Sequence, residues 1–273
     1  MHRKYNFQNS MHYTIENLKV HFDKLAEQYN DALIINAYAS PCSKGYLTEE
    51  VVENTISDVI NKLLLDPAAS LLDLGCGSGF WTKRLANIIR ETVGVDMSKK
   101  ILEIAKKQKI PNATFICGAG HNLPFQENSF DRILSLSVFM NFPDYHYARS
   151  VLNEMVRVTK PGGIILIANN PSLEKKEEFL KYVDLQQLKF ATSPNRDGLA
   201  AAWRKLSNLI RRVRNKMIKN WVTVPAINVI YYPASIFEDY CAAKKLNCEI
   251  LERKIEGDIY APFRFDVRIT VIT

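Results

Sequence analysis

Leu71-Leu72-Asp73-Leu74-Gly75-Cys76-Gly77-Ser78-Gly79-Phe80-Trp81-Thr82 is the stretch from which the rest of the chain can be read. An apolar strand, interrupted by one acid, runs into three glycines at alternate positions, and a helix is expected to follow. Glycine at 75, 77 and 79 removes every Cβ from one side of the turn, which permits positive φ and lets a ligand lie against bare backbone. Further on, a second apolar run, Thr92-Val93-Gly94-Val95, ends in Asp96. An acid about 20 residues past the loop, at the tip of the next parallel strand, is placed to grip a ribose diol.

Two details steer the ligand away from a dinucleotide. That fingerprint needs its third glycine at position 80, where this chain has Phe80 followed by Trp81. Asp73 also puts negative charge at the loop, which repels a pyrophosphate and attracts an ammonium or a sulfonium. A nucleoside with a cationic amino-acid tail, S-adenosylmethionine, satisfies both. The successive segments Asp73-Leu-Gly-Cys-Gly-Ser-Gly79, Gly94-Val-Asp96-Met-Ser98, Asn122-Leu-Pro-Phe125, Ser129-Phe-Asp131 and Arg157-Val-Thr-Lys-Pro-Gly-Gly163 resemble the ordered motifs of class I S-adenosylmethionine-dependent methyltransferases. The resemblance is nearest to the ubiquinone and menaquinone biosynthesis group. It covers residues 20–170 well and the last forty loosely.

The resemblance implies an α/β, Rossmann-like, doubly wound seven-stranded sheet whose last strand is antiparallel. Strands are expected near 70–74, 92–95, 113–117, 131–136 and 162–168, alternating with helices near 80–90, 98–108 and 144–159. Ahead of them, apolar residues recur at helical spacing from Ile15 to Tyr29 behind an N-cap at Thr14. A second helix runs from Thr48 to about Leu65, where Asp66-Pro67 stops it. Four regions follow: an N-terminal helical cap over 1–66, a cofactor-binding core over 67–170, a basic helical lid over 171–232, and a C-terminal helix and strands over 233–273 that complete the sheet.

The resemblance also assigns the site. Asp73 is expected to engage the methionine ammonium, Asp96 the ribose, and Met97 one face of the adenine. Gly75, Cys76, Gly77, Gly79 and Trp81 form the loop, with Cys76 a small apolar filler behind the turn rather than a nucleophile. Ala119 stands where relatives often carry the acid that accepts from the adenine amino group, so the adenine edge is left to Gly120, His121 and nearby amides. Ser135, Leu136 and Ser137 pass beside the methionine chain, and Tyr29 touches its end. Methyl transfer needs a general base only if the acceptor must lose a proton. Relatives often carry histidines after the fourth strand, where this chain has Met140 and Asn141. His146, Tyr231 and Tyr232 are the remaining candidates for a base. No metal site is expected.

Composition bounds the partners. At 47% hydrophobic the 273-residue chain can bury a large core, and no apolar run is long enough for a membrane span. Five cysteines without C-x-x-C spacing, and a start without an apolar leader, point to a reduced, cytoplasmic protein. The net charge of +7 is concentrated between Glu174 and Trp221, where twelve Lys/Arg face five Asp/Glu. Trp203, Leu206, Ile210, Val213, Met217 and Trp221 form an apolar stripe there, with the basic residues off it. Such a lid suits a small, anionic or carrier-linked acceptor methylated on O or N. A lipid-linked substrate reached through peripheral membrane contact, or RNA recruited by the basic helix, is the alternative within the enzymes. A cofactor-binding protein without transfer activity is the alternative outside them. Nothing in the sequence gives the oligomeric state.

Overall fold

The structure, a computed structural model, describes residues 14–28, 48–183 and 229–272. Helix α1 (Ile15–Gln28) starts at Thr14, whose hydroxyl accepts the Asn17 N–H. Helix α2 (Glu49–Leu63) starts at Thr48, which accepts the Val51 N–H, and ends as Leu64 turns left-handed ahead of Pro67. Strands β1 (Ser70–Leu74), β2 (Glu91–Asp96), β3 (Ala113–Cys117), β4 (Phe130–Leu136) and β5 (Thr159–Pro171) then alternate with α3 (Phe80–Leu85), α4 (Lys99–Lys107) and α5 (Tyr145–Val158). Helix α6 (Ser235–Lys244) and strands β6 (Asn247–Glu252) and β7 (Arg264–Thr270) close the chain.

All seven strands form one sheet in the order β3-β2-β1-β4-β5-β7-β6. β1 to β5 are parallel, and β7 runs antiparallel to both β5 and β6. The expected seven-stranded arrangement with an antiparallel last strand is therefore what the chain adopts. Two elements differ in their bounds: β5 extends past the expected 162–168 at both ends, and α3 stops at Leu85 instead of running to 90. The segment after it turns, and Arg90 N–H is captured by the Pro67 carbonyl at 2.8 Å, which feeds the chain straight into β2.

Helices cover both faces of the sheet, which is why β1 is buried along its whole length. On one face Val151, Leu152 and Met155 of α5 and Phe237 and Tyr240 of α6 pack against Ile133, Ile165 and Val267. On the other, Ile56, Val59 and Leu63 of α2 and Leu85 of α3 pack against Leu71, Leu134 and Leu166. Helix α1 lies outside this layer: Phe22 and Ala26 rest on Ile101 and Ile104 of α4. The strand order reverses between β1 and β4, so the crevice beyond their carboxyl ends is the topological switch point where open α/β sheets take their ligands. Among the described residues no helix is long and apolar enough to cross a membrane. Tyr29 and the basic, apolar-striped second half of the expected lid lie outside the described residues; of that lid's first part, residues 176–183 are helical.

Candidate active site

The glycine loop is held by backbone. Gly75 and Cys76 both donate their N–H groups to the Val95 carbonyl, at 2.7 and 3.1 Å, which locks the end of β1 against β2. Gly77 donates its N–H to Asp96 Oδ2 at 3.0 Å, and Ser98 N–H reaches Asp96 Oδ1 at 2.8 Å. The three loop glycines all have positive φ but for different reasons. A Cβ on Gly75 would stand 2.4 Å from a Val138 methyl, so that glycine answers to packing. At Gly77 the nearest atom to such a Cβ would be an Ile101 methyl at 3.9 Å, so the space there is left for a ligand.

A cavity opens above this loop. Gly75, Cys76, Gly77, Trp81, Asp96, Met97, Gly120, Leu136 and Ser137 all line it, which brings nine of the residues expected from sequence to one wall system. Phe22 of α1 and Val51 of α2 close it from the N-terminal side. Asp73 sits below the loop, 3% exposed, accepting a hydrogen bond from Thr82 Oγ1 at 2.5 Å. Gly79 serves the packing of α3, since a Cβ there would meet Ala105, Phe115 and Ile110 at 3.2–3.3 Å. The Cys76 sulfur packs on Gly94, where a Cβ would stand 2.8 Å from it, and burial pushes its thiol up, as befits a filler.

The electrostatics of the loop are those of a site waiting for a cation. Burial raises Asp73 from 3.8 to about 6, against the pull of the Thr82 hydroxyl and with the charge of Asp96 adding to the rise. Asp96 is likewise raised by burial to about 6, although the Ser98 and Gly77 amides favour its ionised form. Among the described residues neither carboxylate has a Lys, Arg or His ion-pair partner. Two buried acids flanking a glycine turn, with no protein cation between them, fit a ligand that brings its own positive charge. A pyrophosphate would meet repulsion from both.

Other expected residues are placed less directly. Ala119 and His121 do not line the cavity; His121 Nδ1 lies 3.0 Å from the Tyr147 hydroxyl, and it is Tyr147 that forms the wall. Burial lifts the Tyr147 phenol to about 12. Ser135 is fully buried beneath the cavity floor, its hydroxyl without a hydrogen-bond partner among the described residues. The structure brings none of the three candidate bases to the cavity. His146 is exposed on α5. Tyr231 packs beside Phe179 and its carbonyl accepts from the Tyr145 hydroxyl. Tyr232 is fully buried and donates to the Phe139 carbonyl at 2.9 Å.

Several wall residues carry no motif and were missed. Asn141 caps the turn after β4, donating Nδ2 to the Ser137 carbonyl at 3.0 Å, while its Oδ1 is buried without a partner among the described residues. Asn169, Arg253, Asp258, Tyr260 and Arg264 complete the far wall. No motif marks them in the sequence; in the structure Ser137, just after β4, and Asn169, at the bulge of β5, are left-handed at φ 63° and 68°, a strain that collects at functional sites.

The comparisons with known proteins agree with this geometry. Residues 72–167 match the family described as a methyltransferase domain. A demethylmenaquinone methyltransferase of Oceanobacillus iheyensis is 34% identical over 116 residues, 40% of this chain and 48% of that protein. One from Staphylococcus aureus is 38% identical over 100 residues, 35% of this chain and 40% of the other. The chain thus spans about half the length of the curated relatives it matches. Among solved structures, a DhpI–SAM–HEP complex superimposes with a TM-score of 0.60 at 12% identity, over 95% of this chain and 98% of that one. A Haemonchus contortus phosphoethanolamine N-methyltransferase gives 0.58 at 14% identity, over 98% of this chain and 51% of the other. At such identities the structural likeness speaks for the fold. The glycine loop, the paired acids and the family match converge on one segment: residues 72–167 match the methyltransferase-domain family, on a seven-stranded fold similar to that of the DhpI–SAM–HEP complex.

Proposed function

We propose that the chain transfers a methyl group from S-adenosylmethionine to an oxygen or nitrogen of a small molecule bound in the same cavity. The observation that carries this reading is the pair of buried carboxylates, Asp73 and Asp96, raised to about 6 with no Lys, Arg or His ion-pair partner among the described residues. Asp96 would hold the ribose hydroxyls while orienting the Gly77 amide, and Met97 would lie along the adenine. Asp73, through its field and through Thr82, would favour the cationic methionine end. The Asn141 amide oxygen offers an acceptor for the ligand ammonium.

The cofactor supplies an electrophilic methyl on a sulfonium. Displacement at that methyl would leave the cofactor as a neutral thioether, with the acceptor's proton released to solvent. No titratable group of the described wall stands out as a base. The chain's own contribution is to hold the two reactants in line and exclude water, through Phe22, Trp81, Val138 and Phe142. The family match ends at residue 167, ahead of Arg253 and Arg264, so the demethylmenaquinone in those relatives' names is not carried over to this chain. Calorimetry with S-adenosylhomocysteine tests the reading: micromolar binding that Asp96→Asn weakens by roughly a hundredfold is expected, and no binding to the native chain at millimolar ligand would overturn it.

A further inference from the structure

The wall opposite the glycine loop is built from Asn169 at the bulge of β5, Arg253 just after β6, Asp258 and Tyr260 in the β6–β7 connection, and Arg264 at the start of β7. Both arginines are buried, 5% and 7% exposed. Arg264 Nη1 donates to Asn169 Oδ1 at 2.6 Å, and its guanidinium carbon stands 5.6 Å from the centre of the Tyr260 ring. Asn169 is itself fixed on two sides: its Nδ2 donates to Ser137 Oγ at 2.6 Å and its N–H to Asp266 Oδ1 at 2.7 Å. The other Asp266 oxygen takes Lys62 Nζ at 2.7 Å, and Lys62 also reaches Asp58.

Arg253 is the informative member. Its Nε and Nη1 are buried without a hydrogen-bond partner among the described residues. The nearest carboxylate oxygens, on Asp258 and Asp266, stand 3.7 Å away, close enough to balance its charge and too far to take its N–H groups. Buried N–H donors of a charged group are costly to leave unmet, and a guanidinium fork matches a carboxylate or phosphate better than it matches any neutral group. The cavity is therefore polarised: acids at the nucleoside end, guanidinium donors across from them, and apolar surface from Val51, Trp81 and Val138 between.

We propose that this wall is the acceptor-recognition site and that the acceptor carries an oxyanion, a carboxylate or a phosphate, received by Arg253 and Arg264. This rests on the methyltransferase reading, because it makes the far wall the place of the second substrate. Arg264 would be positioned by Asn169, whose left-handed backbone at the bulge of β5 is held by Ser137 and Asp266. The apolar surface would carry the body of the acceptor, with the nucleophilic oxygen or nitrogen facing the glycine loop. The competing use of the arginines would be to hold the cofactor's own carboxylate.

Calorimetry on the full chain separates these readings. The protein is titrated first with S-adenosylhomocysteine, then, saturated with it, with benzoate, phenyl phosphate and neutral benzamide. One of the two anions is expected to bind at least tenfold more tightly than benzamide, and which one it is assigns carboxylate or phosphate. Arg264→Gln is expected to remove that preference while S-adenosylhomocysteine affinity stays within threefold, and Arg253→Lys to weaken it by less. Equal binding of charged and neutral probes to the native chain would overturn the proposal, and this comparison needs no variant to fold. A parallel loss of S-adenosylhomocysteine affinity in Arg264→Gln would also overturn it, by assigning the arginine to the cofactor. Failure of S-adenosylhomocysteine to bind the native chain would instead defeat the methyltransferase reading, and is seen in the first titration alone.

Discussion

Around the glycine loop the cavity wall is shaped by main chain: amides of Gly75, Cys76 and Gly77 are tied to Val95 and Asp96, and the space at Gly77 is free of side chain. Across from it the wall is side chain, a relay from Ser137 through Asn169 to Arg264, with Arg253 beside it. The first wall sits between parallel strands at the switch point, where geometry alone fixes it. The second is assembled from the ends of β4 and β5 and from the antiparallel β6–β7 return, elements far apart in sequence. A wall made of backbone suits a ligand shared by many enzymes, and a wall made of side chains can be changed without touching it.

The sharpest way to break this contrast is Asp96→Asn. It removes the charge that takes two backbone N–H groups and, on our reading, the ribose. Loss of charged hydrogen bonds should cost about 3 kcal/mol of cofactor affinity, or roughly a hundredfold. Because it also deletes a buried charge, the ligand-free protein should melt no lower than native. A melting loss with unchanged S-adenosylhomocysteine affinity would show that Asp96 serves the fold instead.

Gly75→Ala probes packing rather than chemistry. The added Cβ meets Val138 at 2.4 Å and must sit at φ 77°, so folding stability should fall by about 1–3 kcal/mol in a denaturant titration. Adding Val138→Ala should recover the part due to the contact and leave the part due to backbone strain. Full recovery would mean that φ at 75 costs nothing.

Acid should act on the two walls unequally. Asp73 and Asp96 bind protons in the folded protein from about pH 6 downward, whereas their unfolded value is 3.8. Between about pH 4 and 6 the folded state therefore holds more protons, and these groups make the ligand-free protein less stable as pH rises through 6. A cationic ligand favours the ionised pair, so affinity for S-adenosylmethionine should fall below pH 6, by up to about tenfold per pH unit for each carboxylate. The melting temperatures of the free and ligand-saturated protein should thus converge toward pH 4. Parallel curves would mean that neither acid faces the ligand's charge.

How far the two walls could be read in advance follows from how they are made. The loop wall is contiguous in sequence and uses residue types that little else explains: alternate glycines, then an acid at the next strand's tip. The sheet followed for the same reason, since every motif marks a strand end. The far wall gave no comparable sign. Arg253-Lys254-Ile255-Glu256-Gly257-Asp258-Ile259-Tyr260 reads as an ordinary surface connection, and only the pairing of β7 between β5 and β6 carries Arg253 and Arg264 into the cavity. Asn169 looked like a strand ending, and its role as a hydrogen-bond hub depends on a left-handed φ that sequence does not encode outside glycine.

The same reasoning explains why the sequence candidates for a base fell elsewhere, and it gives the smallest effects expected. Tyr232 and His146 have suitable chemistry and lie near the closing segment and the fourth strand in the chain. Residue chemistry does not reveal which way a side chain points. Tyr232 pairs Ser172 to its own backbone and sends its hydroxyl inward to the Phe139 carbonyl, between Phe139 and Phe237. Burial drives its phenol far above the ordinary range, so it stays protonated at any working pH and cannot accept a proton. Tyr232→Phe keeps the ring and removes one of two hydrogen bonds to the Phe139 carbonyl, which still accepts the Phe142 N–H, so stability should fall by about 0.5–1.5 kcal/mol with S-adenosylhomocysteine affinity unmoved. His146→Ala, on the exposed face of α5, should change stability by less than about 0.5 kcal/mol and binding not at all. A clear loss of affinity in either variant would place that residue on the cavity wall and redraw the boundary between the two walls.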